Sequence, residues 1–346
     1  MRQTFIKGIC FVALLAFTLW LSNGIYTRFF YKQDVVEADA QLLFDLDSLQ
    51  HLNDVLYFAE SSNTTTSPND TCQAFISELI SRLAPEVKIA EIQHGAYHGK
   101  LYLDLIKNIE KGSRVKTIIV TMNLRSFGAL WINSALETAI MKADVMYRQL
   151  PPIFKRSMLA FGQFDNKTWE ERVPVIRRHW KEEKINVPAD FKYQNTLDWD
   201  LGMGMSGIYL LPDSTWDFKK VEFACNFIKI LGFSIDTLTN PRIKDFDEIV
   251  EVAKEKNLNL VFNLLPENVQ FADSLAGKEL VSLIRQNRDL LVKRYNKNGV
   301  IVVDNLELVD GKNFIEQDQV TEHYTQTGRK VVAANVAKIA GKYLRH

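Results

Sequence analysis

Ser61 closes an apolar run, Val55-Leu-Tyr-Phe-Ala, and His323 stands just before the last amphipathic stretch of the chain. A serine on a sharp strand-to-helix turn has its Oγ and its backbone N–H held out of the sheet, as a nucleophile needs. A neutral imidazole can take the hydroxyl proton and return it to a leaving group. Asn123, after the run Thr117–Met122, and Gly99, in Gln93-His-Gly-Ala-Tyr-His-Gly99, are residue types that hold the oxyanion of a tetrahedral intermediate. The acid that would orient the histidine is open between Asp318 and Glu322. Asp318 is marginally favoured, because a residue adjacent to His323 in an extended turn points away from the ring. A Ser–His dyad oriented by a carbonyl is the third arrangement. His98 competes with Gly99 for the second oxyanion position, and Ser62 is a lesser alternative nucleophile. Taken singly, each residue has an ordinary reading as a turn former, loop residue or surface histidine. Their order along one chain favours a serine-histidine site.

The elements that must position these groups show up as short, mainly apolar runs: Val55–Ala59, Val87–Ile92, Thr117–Met122, Leu258–Leu265 and Val300–Val303. Runs without alternation are the mark of strands covered on both faces, as in a parallel sheet. Helical patterns separate them at Cys72–Leu83, Leu101–Ile109, Phe246–Lys256 and Ser274–Lys297, and a last helix runs from about Thr327 to Tyr343. This alternation predicts a doubly wound α/β domain whose sites lie at the carboxyl ends of the strands. Ser61, Gln93, Asn123 and Pro266 occupy such ends. Roughly 135 residues separate the third and fourth runs, far beyond one crossover helix. That stretch carries Trp131, Trp169, Trp180, Trp199 and Trp216, and it reads as a mainly helical cap over about 126–250. Packing is the better reading of those tryptophans than cover for a substrate.

Gly8–Thr27 contains no charged residue. As a helix it is about 30 Å long, the thickness of a bilayer core. Arg2 and Lys7 precede it and Arg28 and Lys32 follow, so charge does not orient it. We expect an uncleaved signal anchor over 1–32, ahead of a cleaved signal peptide or a buried core helix, then a juxtamembrane helix over 33–53 (Val36, Leu42, Leu43, Leu46, Leu49, Leu52) and the α/β domain over 54–346. Lys+Arg and Asp+Glu are equal at 42 each, which gives no field favouring nucleic acid. Cys10, Cys72 and Cys225 lack metal-ligand spacing, and two scattered cysteines are more often unpaired than bridged. No metal or organic cofactor is expected.

The order Ser61, Gly99, Asn123, His323 resembles the SGNH (GDSL-type) hydrolase superfamily, over roughly 54–125 and 257–343. His323-Tyr-Thr-Gln-Thr-Gly328 is similar to the histidine block of the alginate O-acetylation proteins. The anchor and insertion resemble the membrane-tethered teichoic-acid D-alanylation proteins. Departures are visible: Ala59-Glu60-Ser61 stands for Gly-Asp-Ser, Thr121 and Leu124 replace a glycine and an aspartate beside Asn123, and Val320 sits where the acid is usual. The resemblance implies a three-layer α/β/α sandwich with a five-stranded parallel sheet. It implies an exported esterase or acyltransferase acting through an acyl-serine on an acylated envelope glycan, with a membrane acyltransferase as a possible partner. A small-ester esterase or lipase, and a non-catalytic envelope-assembly scaffold on a degenerate fold, are the rival classes.

Overall fold

The computed structural model describes residues 2–206, 209–297 and 299–344. Five strands, β1 (Val55–Ala59), β2 (Ile89–Gln93), β3 (Thr117–Met122), β4 (Asn259–Leu264) and β5 (Val300–Asp304), form one sheet in the order β2-β1-β3-β4-β5. Every pairing is parallel. Register sets Ala59 opposite Gln93, Phe58 opposite Val120, and Met122 opposite Leu264, so the strands end along a common edge. The reversal of strand order between β1 and β3 opens the crevice at which α/β sheets place their sites.

The apolar strands serve two helical layers at once, because successive side chains point to opposite faces. Val55, Tyr57 and Ala59 of β1 pack with helices Ile76–Leu83 and Gln326–Leu344, through Ile80, Val332 and Val336. Leu56 and Phe58 face the other way, toward Gly99–Lys107, Pro241–Glu255 and Lys278–Tyr295, through Leu105, Ile249 and Ile284. The result is a three-layer α/β/α arrangement with the sheet between.

Helix Pro241–Glu255 carries Phe246 onto the Phe262 ring of β4 at 5.2 Å, and so belongs to the layer on the sheet. The expected helix over 274–297 is two helices, Val269–Ala276 and Lys278–Tyr295, broken where Gly277 takes φ +93°. The expected juxtamembrane helix is likewise two, Tyr31–Glu37 and Leu42–Leu49, with Asp39 at φ +55° between them.

Helix Arg2–Phe29 is long and apolar enough to cross a membrane, and none of its spanning window is buried against protein. Its carboxyl end is tied down. Tyr26 donates to Asp34 at 2.6 Å, Arg156 pairs with Asp34 at 3.2 Å, and Asn23 Oδ1 accepts from the Ile153 amide at 3.0 Å. Cys10, Cys72 and Cys225 are all free thiols.

Candidate functional site

β1 ends at Ala59, Glu60 is extended, and Ser61 opens the one-turn helix Ser61–Thr64. That abrupt change of direction sets Ser61 at the sheet edge with its side chain part-exposed. The final helix begins at Gln326, and the segment before it folds back on itself. Phe314 bridges Tyr324 in antiparallel fashion, and the Ile315 amide donates to the His323 carbonyl at 2.9 Å. His323 Nε2 lies 3.1 Å from Ser61 Oγ, and Nδ1 lies 3.0 Å from Glu316 Oε1. With Nδ1 carrying the proton, the ring donates to Glu316 and Nε2 is left to accept from the serine hydroxyl. The Thr321 hydroxyl donates to the other Glu316 oxygen at 2.7 Å. Burial opposes the ionised carboxylate, but the Thr321 and His323 hydrogen bonds more than offset it and hold Glu316 below the usual glutamate range.

The carboxylate at the ring is therefore neither of the two expected from sequence. Asp318 is exposed to solvent. Glu322 turns inward, fully buried, to meet Arg125 Nη2 at 2.6 Å. Adjacent residues on an extended segment face opposite ways, which is why Glu322 and His323 part company. Ser62 is also fully buried, its hydroxyl without a hydrogen-bond partner, so Ser61 alone of the pair reaches the histidine.

Asn123 caps β3 beside this group. Its Nδ2 donates to Glu60 Oε1 and Glu322 Oε2, each at 3.1 Å, while its Oδ1 accepts from the Arg125 amide at 3.1 Å. Both amide hydrogens thus point at carboxylates. Gly99 opens helix Gly99–Lys107, where a Cβ would lie 3.1 Å from Asp245 Cβ and 3.3 Å from the Phe246 ring. Close helix packing accounts for a glycine there. The preceding His98 caps the same helix, its Nδ1 accepting from the Lys100 amide, and its Nε2 lies 3.1 Å from Glu137. Burial, reinforced by Arg242, pushes the His98 ring below the ordinary histidine range.

Behind the serine lie three buried carboxyls, Glu60, Glu267 and Glu322, with Arg125 as the cation among them. Three acids around one guanidinium cannot all ionise in an interior of low dielectric. Burial pushes Glu322 up to about 7 against the pull of Arg125, and burial together with Glu322 pushes Glu267 well above the carboxylate range. Arg125 is fixed further by the Val320 carbonyl at 3.0 Å and by the Trp131 ring, 4.3 Å away. Arg329, wholly buried, joins the serine and histidine loops. It donates to the carbonyls of Ala74, Cys72 and Tyr324, and pairs with Asp70 at 2.9 Å.

Sequence reading missed Glu316, Arg125, Glu60 and Glu267. Only Glu60 carried a signal, as the neighbour of Ser61 in the place of an aspartate. No protein-family model matches the chain, and no curated protein does. One solved structure similar to it is a protein from Streptococcus pneumonia, provisionally described as a platelet activating factor. It shares 12% identity over 90% of this chain and 95% of its own, with a TM-score of 0.35. An overlap that loose says nothing about activity.

Proposed function

We propose that this chain is a membrane-tethered serine esterase or acyltransferase, with its α/β domain outside the cytoplasm. The observation that supports this best is the line Ser61 Oγ, His323, Glu316, closed by contacts of 3.1 and 3.0 Å. In this reading Ser61 attacks an ester carbonyl while Nε2 takes the hydroxyl proton. The alcohol leaves with that proton and an acyl-serine remains. Water, or a hydroxyl of an acceptor, then attacks the acyl carbon as Nε2 removes its proton, and Ser61 is regenerated. The Ser61 amide is the first oxyanion donor. Asn123 joins it by releasing Glu60, and Gly99, through its backbone N–H, or His98 is the remaining donor in this reading.

The spanning helix Arg2–Phe29 supports a substrate at the membrane surface. Together with the resemblance to envelope acylation proteins, it favours an acylated envelope glycan over a soluble ester, with a membrane acyltransferase as partner. In this reading 1–32 is the anchor, 33–53 the juxtamembrane part, and the rest one SGNH-like domain with its inserted cap.

A fluorophosphonate probe tests the chemistry. Labelling of wild type that disappears in Ser61→Ala and His323→Ala is the expected outcome; labelling that persists in Ser61→Ala overturns the assignment. One observation favours a non-catalytic scaffold instead, namely the engagement of both Asn123 amide hydrogens by carboxylates. Unlabelled wild type would overturn the serine mechanism and leave that second reading standing.

A further inference from the structure

A cavity of about 360 Å³ lies beyond the carboxyl ends of β4 and β5, between the residues 267–285 and the segment 307–309. That volume is within the range of small-ligand sites. Glu267 belongs both to this cavity and to the carboxyls around Arg125. It is 2% exposed, and its Oε1 has no hydrogen-bond partner in the protein. A buried carboxyl with one oxygen left unpaired makes the inner wall of the cavity polar, although that oxygen is itself closed off from solvent.

The cavity is also coupled to the loop that carries Glu316 and His323. Gln270, on its wall, accepts from the Gly311 amide at 3.0 Å, and Gln317 donates to the Gly311 carbonyl at 3.2 Å. A ligand seated there would bear on the segment that holds the histidine.

We infer that this cavity seats a neutral, hydroxyl-rich sugar residue of the acyl acceptor, an assignment that rests on the serine-enzyme reading above. Charge argues for neutrality. Asp273 and Glu307 are balanced by Lys278 and Arg285, and Arg285 is already paired with Glu307 at 2.7 Å. Burial favours the protonated form of Glu267, so it adds no field and can donate as well as accept. A phosphate would need surplus positive charge and a cation surplus negative charge; neither is there. Val269, Val281 and Val309 offer an apolar wall to the C–H face of a sugar ring, while Glu267, Gln270, Asp273 and Lys278 meet its hydroxyls.

The test is saturation-transfer NMR on the full-length protein in detergent micelles. Chitotetraose and cellotetraose serve as neutral probes, and inorganic phosphate as the charged competitor. Transfer to at least one sugar is expected, undisturbed by phosphate. Affinity should fall roughly tenfold in Asp273→Ala/Lys278→Ala, the effect of losing one or two hydrogen bonds. Both positions are exposed, so the fold should survive, and an unchanged thermal midpoint would check this. If the pair fails to fold, Gln270→Ala, also exposed, replaces it. Absence of binding to both sugars at millimolar concentration overturns the inference. So does displacement by phosphate, or equal binding by wild type and a folded variant. Fluorophosphonate labelling of wild type in the same sample separates the two claims. Labelling without sugar binding removes the cavity assignment alone, whereas sugar binding without labelling removes the enzyme reading and the acceptor role with it.

Discussion

Replacing Glu316 by glutamine keeps the shape of the side chain while removing the charge opposite His323 Nδ1. Thr321 now donates to Glu316 Oε2 at 2.7 Å. In the variant the amide nitrogen takes that side, the hydroxyl turns to accept from it, and the amide oxygen stays to receive the ring N–H. The tautomer is preserved, so the loss is mainly electrostatic: the imidazolium formed in the transition state loses its counter-charge. Two unit charges about 4 Å apart attract by about 1 kcal/mol in water and about 4 kcal/mol at an effective dielectric near 20. The Glu316 side chain is 26% exposed, so solvent screens it well below the upper figure. About 2 kcal/mol is the resulting value, roughly a 30-fold loss in kcat/KM. Glu316→Ala also frees the ring, and its loss should approach roughly 10³-fold or more. Hydrolysis of p-nitrophenyl acetate, measured beside Asp318→Asn, is the assay. A glutamine variant within about threefold of wild type refutes the reasoning. A greater loss in Asp318→Asn refutes it as well.

Three other perturbations follow from the same geometry. Glu322 is pushed from 4.5 up to about 7 by burial, so between those values the folded state keeps a proton that the unfolded chain has released. Its contribution to stability must fall as pH rises through that window, by at most about 1.4 kcal/mol per pH unit. In urea melts the stability of wild type relative to Glu322→Gln should therefore decline toward neutral pH; a relative gain would show that the Arg125 pair prevails over burial. Arg329→Met strands Asp70 and the carbonyls of Ala74, Cys72 and Tyr324, and should cost about 3 kcal/mol in the same melts; a loss under about 1 kcal/mol would contradict its role as the tie between the loops. Gly328→Ala places a Cβ 2.8 Å from Tyr324 Cβ and 3.1 Å from the Asn313 carbonyl oxygen, so the residue after His323 must move. Ester hydrolysis should fall by more than about tenfold while the thermal midpoint shifts only modestly, and full activity would show that the loop yields elsewhere.

The sheet was legible because burial on both faces leaves one pattern on a strand: Val55–Ala59 carries no charged residue, and Thr117–Met122 breaks its apolar run only with two threonines, a β-branched type that strands accept. Helix breaks were not. Gly277 lies in a continuous helical pattern from Ser274 onward, and only its backbone, at φ +93°, shows that the chain turns there. Asp39 is harder still, because an aspartate in the left-handed region leaves no mark on apolar spacing. Ser61 and His323 were readable for a related reason: each stands at the junction of an element whose pattern is strong. Asn123 was readable in position but not in engagement, since nothing in Val120-Thr-Met-Asn123 announces two carboxylates arriving from Glu60 and Glu322.

Glu316 was hidden by the way the chain closes before the last helix. Counting back from the histidine finds Glu322, Asp318 and only then Glu316, seven residues away. Separation along the chain measures separation in space only while the chain stays extended, and here it does not. The Phe314–Tyr324 bridge and the Ile315–His323 hydrogen bond bring the two limbs of a closed loop side by side. Glu316 and His323 sit just inside that closure, on facing limbs, while Asp318 lies out in the exposed part of the loop. Arg125 then removes Glu322 from contention by holding it inward, and Tyr324 fastens the returning limb by donating to the Pro266 carbonyl at 3.0 Å. Two consequences separate this account from one based on proximity in sequence. Lengthening the carboxylate at 318 while removing the one at 316, as Glu316→Gln/Asp318→Glu, should not restore ester hydrolysis, because the acid would remain outside the closure. Restoring the acid at 316 as Glu316→Asp should recover part of it, because one methylene shortens the reach without changing the limb. Rescue by Asp318→Glu in the Glu316→Gln background would show that the loop opens in solution and that its closure does not select the acid.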